Sequence, residues 1–198
     1  MQYSNKREVD DMKTEQQYFE QGISMAEYME QMKTNLKEGS FEIYHNFKID
    51  ENDELIPLLK EKKPHILTIT EDWCGDAMLN NPIMRKIAEA AGLDIRCVFR
   101  DEDTDLIDRY LTNGGRAIPI YLFLNEEGQV IGKWGPRAPE LQQLVVEERA
   151  KLPAKDNPTF EEKQKELYTT LQEKFVKDPQ CAKWVYEDMK KVIMEMLS

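Results

Sequence analysis

The stretch from His65 to Ala91 constrains the fold of this chain more than any other. His65-Ile66-Leu67-Thr68-Ile69-Thr70 is an apolar run of strand length. Met78 to Ala91 carries apolar residues at helical spacing, and Gly92 stops it. Trp73-Cys74-Gly75-Asp76-Ala77 lies between them, so a cysteine sits where a strand hands over to a helix. Backbone N–H groups and the positive end of the helix dipole favour the thiolate there, the form that acts as nucleophile. Three residues on, where a second thiol would close an internal disulfide, stands Ala77. A further apolar run over 94–100 completes a βαβ unit, which should cross over right-handed.

Composition narrows the setting. Of 198 residues, 27 are basic and 38 acidic, a net charge of −11 that disfavours nucleic acid and anionic membrane as partners. No apolar stretch approaches the roughly 20 residues of a membrane helix. Met1-Gln2-Tyr3-Ser4-Asn5-Lys6-Arg7 lacks the apolar core of a secretory signal, so a cytoplasmic location is expected. Three scattered cysteines and two histidines, His45 and His65, are too few for a disulfide framework or a metal cluster. No metal and no cofactor is expected.

Along the chain, residues 1–20 are polar and aperiodic and read as a tail. Ser24-Met25-Ala26-Glu27 has the form of a capping box, predicting a helix from Met25 to Lys37 that Gly39 ends. Phe41-Glu42-Ile43-Tyr44 reads as a short edge strand, and Asn52 to Glu61 as a helix. After the βαβ unit, the acidic loop Asp101 to Asp105 reads as a solvated turn leading to a short helix, Leu106 to Leu111. Strands 120–124 and 129–134 form a hairpin across Asn125-Glu126-Glu127-Gly128, and a helix runs from Pro139 to Lys151. Beyond the linker 153–158, Thr159-Phe160-Glu161-Glu162 and Asp178-Pro179 start two helices. Their apolar stripes must pack on each other, on the main domain, or on a second copy, making a homodimer through these helices one expectation. The reading is of a tail (1–20), a main domain (21–152) with an N-terminal helical extension, and a C-terminal helical hairpin (153–198).

The order β-α-β-α-β-β-α with Trp73-Cys74-Gly75 at the first strand–helix junction resembles the thioredoxin family. Pro82 falls where that family kinks its active-site helix. Ile118-Pro119 falls where it carries a cis-proline facing the thiol, and Gly128 matches its hairpin glycine. Lys133-Trp134-Gly135 resembles the strand end and glycine beside its substrate groove. The resemblance covers residues 60 to 150 and implies an α/β thioredoxin-like fold, a central mixed sheet flanked by helices. An X–Pro bond keeps only about 0.5–1 kcal/mol of trans preference, so a tight fold can impose cis.

For function, the resemblance implies thiol–disulfide exchange with Cys74 as nucleophile. Ile118 and Pro119 would form a docking edge for an extended substrate. Trp73, Gly75, Asp76 and Gly135 would line the substrate groove, with Trp73 covering the thiol. Two departures matter. Ala77 replaces the resolving cysteine, and Thr68 stands where dithiol members carry a buried aspartate serving it. The expected chemistry is therefore a mixed disulfide on Cys74 with a protein or low-molecular-weight thiol, resolved from outside. The alternative is a redox-inactive binding module on the same fold. A glutaredoxin-like cluster protein fits less, since Asp76-Ala77 departs from that family's Cys-Gly-Phe-Ser. Asp76, Glu71 and Asp72 would raise the thiol pKa against the helix dipole, leaving the balance open. Mid-strand Cys97 reads as structural. Cys181 could resolve Cys74 only if the C-terminal helices fold over the site.

Overall fold

The structure, a computed structural model, describes residues 12–50 and 52–198. Its frame is the expected βαβ unit: β2 (His65–Thr70), α5 (Gly75–Ala91) and β3 (Ile95–Phe99), with the two strands parallel. Before it come α1 (Glu15–Gln21), β1 (Ile23–Ser24), α2 (Met25–Gln31), α3 (Leu36–Asn46) and α4 (Leu55–Lys62). After it come α6 (Thr104–Ile107), β4 (Ile120–Leu124), β5 (Val130–Trp134), α7 (Pro139–Arg149), α8 (Phe160–Lys177) and α9 (Pro179–Leu197). The sheet runs β1-β3-β2-β4-β5, with only β2 and β3 parallel, so it is mixed.

Strand alternation splits the core in two. Ile66, Ile95, Cys97, Tyr121 and Phe123 face α2 to α5 and the C-terminal helices. Leu67, Ile69, Ile120, Leu122 and Leu124 face Tyr18 and Phe19 of α1 and Leu106 and Ile107 of α6. Most of the apolar stripe of α9 (Val185, Met189 and Ile193) is buried within the chain's own core, beside α5, α7 and β5.

Several elements differ from the sequence reading, each for a tertiary or capping reason. Residues 1–11 of the expected tail (1–20) lie outside the described residues, and the rest of it becomes helical from Glu15. There Thr14 and Gln17 form a reciprocal capping box that starts α1. The single helix expected over 25–37 is two. The Ser24–Glu27 box starts α2 as predicted, but the chain leaves the helix at Met32. The Lys33 amide donates to Asp72 Oδ2 at 2.9 Å and the Thr34 hydroxyl to the Asp72 carbonyl at 2.6 Å, tying this break to the Cys74 turn.

Gly39, expected as a stop, lies inside α3 because two neighbours crowd it. A Cβ there would stand 2.9 Å from both Met78 Sδ and Val176 Cγ2. Phe41 to Tyr44 are helical, not an edge strand: Leu36, Ser40 and Ile43 share the buried stripe of α3. The short helix after the acidic loop begins at Thr104, earlier than Leu106, because Asp103 Oδ1 caps it from the Asp105 amide at 3.1 Å.

Candidate functional site

Cys74 is the N-cap residue of α5, in extended conformation (φ −85°, ψ 121°), and its carbonyl accepts the first helical bond from Met78 N at 3.0 Å. Its Sγ lies 3.4 Å from the Ile118 carbonyl oxygen, which accepts the S–H. The Ile118–Pro119 peptide is cis, as is Gly135–Pro136, which the sequence reading did not anticipate. Gly135 stands behind this turn at φ +120°, with its Cβ position 2.3 Å from the Pro119 carbonyl oxygen. Only glycine fits there.

The structure thus brings Cys74, Ile118, Pro119 and Gly135 into one neighbourhood, but with different exposures. Ile118 and Pro119 are buried, with Ile118 only 4% exposed. Trp73, Cys74, Gly75 and Asp76 instead line a cavity of about 370 Å³. Trp73 is half exposed, and the Arg100 guanidinium stacks 4.9 Å from its ring centroid. Of the acidic neighbours, Asp72 is engaged with residues 33 and 34. Glu71 is buried and accepts the Asp101 amide at 2.8 Å, and burial pushes its carboxyl pKa up.

The far wall and roof of the cavity come from α7 and α8. Gln172 lies directly over Gly75, with its Cγ 3.3 Å from where a Cβ would be. Leu171 and Phe175 are buried beside it, and Arg149 and Tyr168 stand at the mouth. Of the C-terminal pair, α8 therefore folds over the thiol, while α9 adds no residue to the cavity lining. Cys181, however, is buried at the start of α9 and is not among the residues lining this cavity. Cys97 Sγ packs 3.5 Å from Met25 Sδ in the core, and all three cysteines are free thiols.

The question the sequence left open, which influence governs the thiol, has a clear direction. Burial pushes the Cys74 pKa up first, and the Asp76 charge adds to it. The Asp76 and Ala77 amides and the Arg137 cation pull the other way, and the result is about 11. Sequence reasoning did not find Arg137. It clamps Asp76 with two hydrogen bonds at 2.9 and 2.6 Å and reaches Gln142 at 2.6 Å. It also missed a buried polar chain below the helix start. Tyr121 donates to Asn81 Oδ1 at 2.5 Å, Asn81 donates to Thr70 Oγ1 at 3.1 Å, and the Thr70 hydroxyl donates to Tyr28 at 3.4 Å. The polar residues Asn80-Asn81 inside an otherwise apolar helical stripe were the available signal. Thr68 is buried opposite Cys97, and Ala77 is buried in the first turn of α5.

Among the described residues, no group of three or more His, Cys, Asp or Glu side chains could hold a metal ion. No described helix is long and apolar enough to cross a membrane. Asp103 of the acidic loop is taken up by the Tyr18 hydroxyl at 2.8 Å and Lys13 at 3.3 Å.

A strand–Cys–helix turn facing an X–Pro peptide across a mixed sheet defines a thioredoxin-fold thiol protein. The thioredoxin family model matches residues 22–155, about two thirds of the chain, and the protein belongs to the thioredoxin family. The match begins well before residue 60, so β1 and α2 to α4 fall within the family region, while α1, α8 and α9 lie outside it. Two solved structures share the fold. One is a protein of unknown function, PA1234, from Pseudomonas aeruginosa, with 14% identity, coverage of 94% of this chain and 96% of that one, and a TM-score of 0.60. The other is an HIV epitope-scaffold, with 16% identity, coverage of 93% and 96%, and a TM-score of 0.57. A search of curated proteins finds no match.

Proposed function

We propose that this protein carries out thiol–disulfide exchange through a mixed disulfide on Cys74, with a protein or low-molecular-weight disulfide as partner. The observation that carries this reading is the placement of the Cys74 sulfur. It lies at a helix N-terminus, where the Asp76 and Ala77 amides lower its pKa, and it borders an open cavity. In the reaction, the S–H proton passes to solvent and the amides of the first turn stabilise the thiolate. The sulfur attacks one sulfur of the partner disulfide, that S–S bond breaks, and the other half leaves as a thiolate. With Ala77 three residues on, no neighbouring thiol can displace the adduct, so an external thiol must attack it and return Cys74. A reducing, cytoplasmic setting suits that step.

A thiol raised to about 11 favours a second reading, a redox-silent binding module, because little thiolate exists near neutrality. Trapping of mixed disulfides from cell extract separates the two. The wild-type protein and Cys97→Ser should form adducts and Cys74→Ser should not. Equal trapping by the Cys74→Ser protein, or no adduct on Cys74 in the wild type, overturns the exchange reading. An insulin-reduction assay with dithiothreitol supplies the turnover readout.

A further inference from the structure

The roof of the Cys74 cavity carries more information than the thiol alone. Its volume of about 370 Å³ lies near the lower end of small-molecule pockets. Leu171, Phe175 and Val145 supply its apolar wall, and the Gln172 side chain stands over Gly75. Two cations and one anion line it. Arg137 is consumed by Asp76 and Gln142. Arg149 is not consumed. Its Nη2 donates to the Tyr168 hydroxyl at 3.3 Å, its guanidinium lies 5.7 Å from that ring, and among the described residues it forms no ion pair. The lining therefore carries a net positive charge on a protein whose total is −11. Meanwhile Ile118 and Pro119, the edge that an extended protein strand would need, are buried, and the Ile118 carbonyl is occupied by the thiol.

We propose that the cavity selects a low-molecular-weight disulfide bearing a carboxylate, which Arg149 anchors at the mouth while one sulfur meets Cys74. This deepens the exchange reading and rests on it. A guanidinium and a carboxylate pair through charge-assisted, often bidentate hydrogen bonds, and the apolar wall takes the carbon chain. The step balances as Cys74–SH plus RSSR giving Cys74–S–SR plus RSH. The Sγ–S bond forms as the S–S bond breaks, Cys74 is oxidised, one half of the disulfide is reduced, and the proton from Cys74 ends on the released thiol. A second RSH reverses the exchange.

The test uses the full-length protein and three probes: dithiodipropionate (carboxylated), bis(hydroxyethyl) disulfide (neutral) and cystamine (cationic). Adduct formation at Cys74 is followed by intact and peptide mass spectrometry. Each rate is divided by the rate of the same probe with mercaptoethanol, which removes intrinsic differences among the disulfides. The carboxylated probe should outpace the neutral one by about tenfold, and cystamine should be slowest. In Arg149→Gln the carboxylated-to-neutral ratio should fall to about one, and added salt should shrink it in the wild type. A wild-type ratio near one, or a ratio that survives Arg149→Gln, overturns the carboxylate anchor while leaving exchange at Cys74 intact. No adduct at Cys74 with any probe overturns both.

Discussion

Arg137 grips Asp76 through two hydrogen bonds, Nε to Oδ1 at 2.9 Å and Nη2 to Oδ2 at 2.6 Å, on the first turn of the helix that Cys74 caps. The two residues are 61 positions apart, and their side chains are only 15% and 14% exposed. The clamp fixes a carboxylate near the sulfur and a cation just behind it. The carboxylate raises the thiol pKa and the cation lowers it.

Asp76→Asn should therefore lower the Cys74 pKa, because it removes the raising charge and leaves the Arg137 cation in place. Iodoacetamide should alkylate Cys74 severalfold faster at about pH 8. The same change leaves a largely buried guanidinium without its anion, a loss of about 3 kcal/mol. Chemical denaturation should show it. An alkylation rate equal to wild type would mean that Asp76 does not govern the thiol.

The thiol itself predicts a pH profile. Alkylation of Cys74 should rise about tenfold per pH unit from neutrality and level off only near 11. A native pKa above the ordinary 9.0 means that the folded protein holds this proton longer than the unfolded chain does. The stability this confers is fully present below about pH 9 and is lost as pH rises toward about 11. The stability advantage of the wild type over Cys74→Ser should shrink over that window. A plateau of alkylation below pH 9 would contradict the assignment.

Roofing by α8 should be separable from the chemistry beneath it. Leu171 is 5% exposed, and Leu171→Ala should cost about 3 kcal/mol. Since burial is the largest influence raising the Cys74 pKa, admitting water should also speed alkylation of Cys74. The exposed Leu111→Ala should change neither stability nor rate appreciably. Slower alkylation in Leu171→Ala would count against the roof.

Gly135→Ala should damage the fold behind the site. Its φ of +120° and the 2.3 Å gap to the Pro119 carbonyl leave no space for a methyl group. A loss of about 3 kcal/mol or more, or failure to accumulate as folded protein, is expected. Gly115→Ala meets only the Thr112 carbonyl at an ordinary 3.5 Å and should be tolerated. Comparable melting temperatures for the two variants would refute this account of position 135.

Much of the frame was legible residue by residue. The β2-α5-β3 unit shows in apolar periodicity, the Ser24–Glu27 box starts its helix where expected, and Pro179 opens α9. The Thr14–Gln17 box is equally legible, although polar composition around it reads as a tail. β1 was not: two residues, Ile23 and Ser24, become a strand only because β3 pairs with them. Gly39 and Phe41 to Tyr44 look like a break and a strand by composition. They become a helix because Met78 and Val176 press on one side and the core takes Ile43.

Sequence alone determined that one cysteine would stand at a strand–helix junction without a neighbour to resolve it, since such signals are set by residues a few positions apart. Only the tertiary structure decided how that sulfur behaves. The Arg137–Asp76 clamp, the Ile118 carbonyl and the α8 roof reach Cys74 from distant parts of the chain. Desolvation and charge act through space, and folding sets those distances.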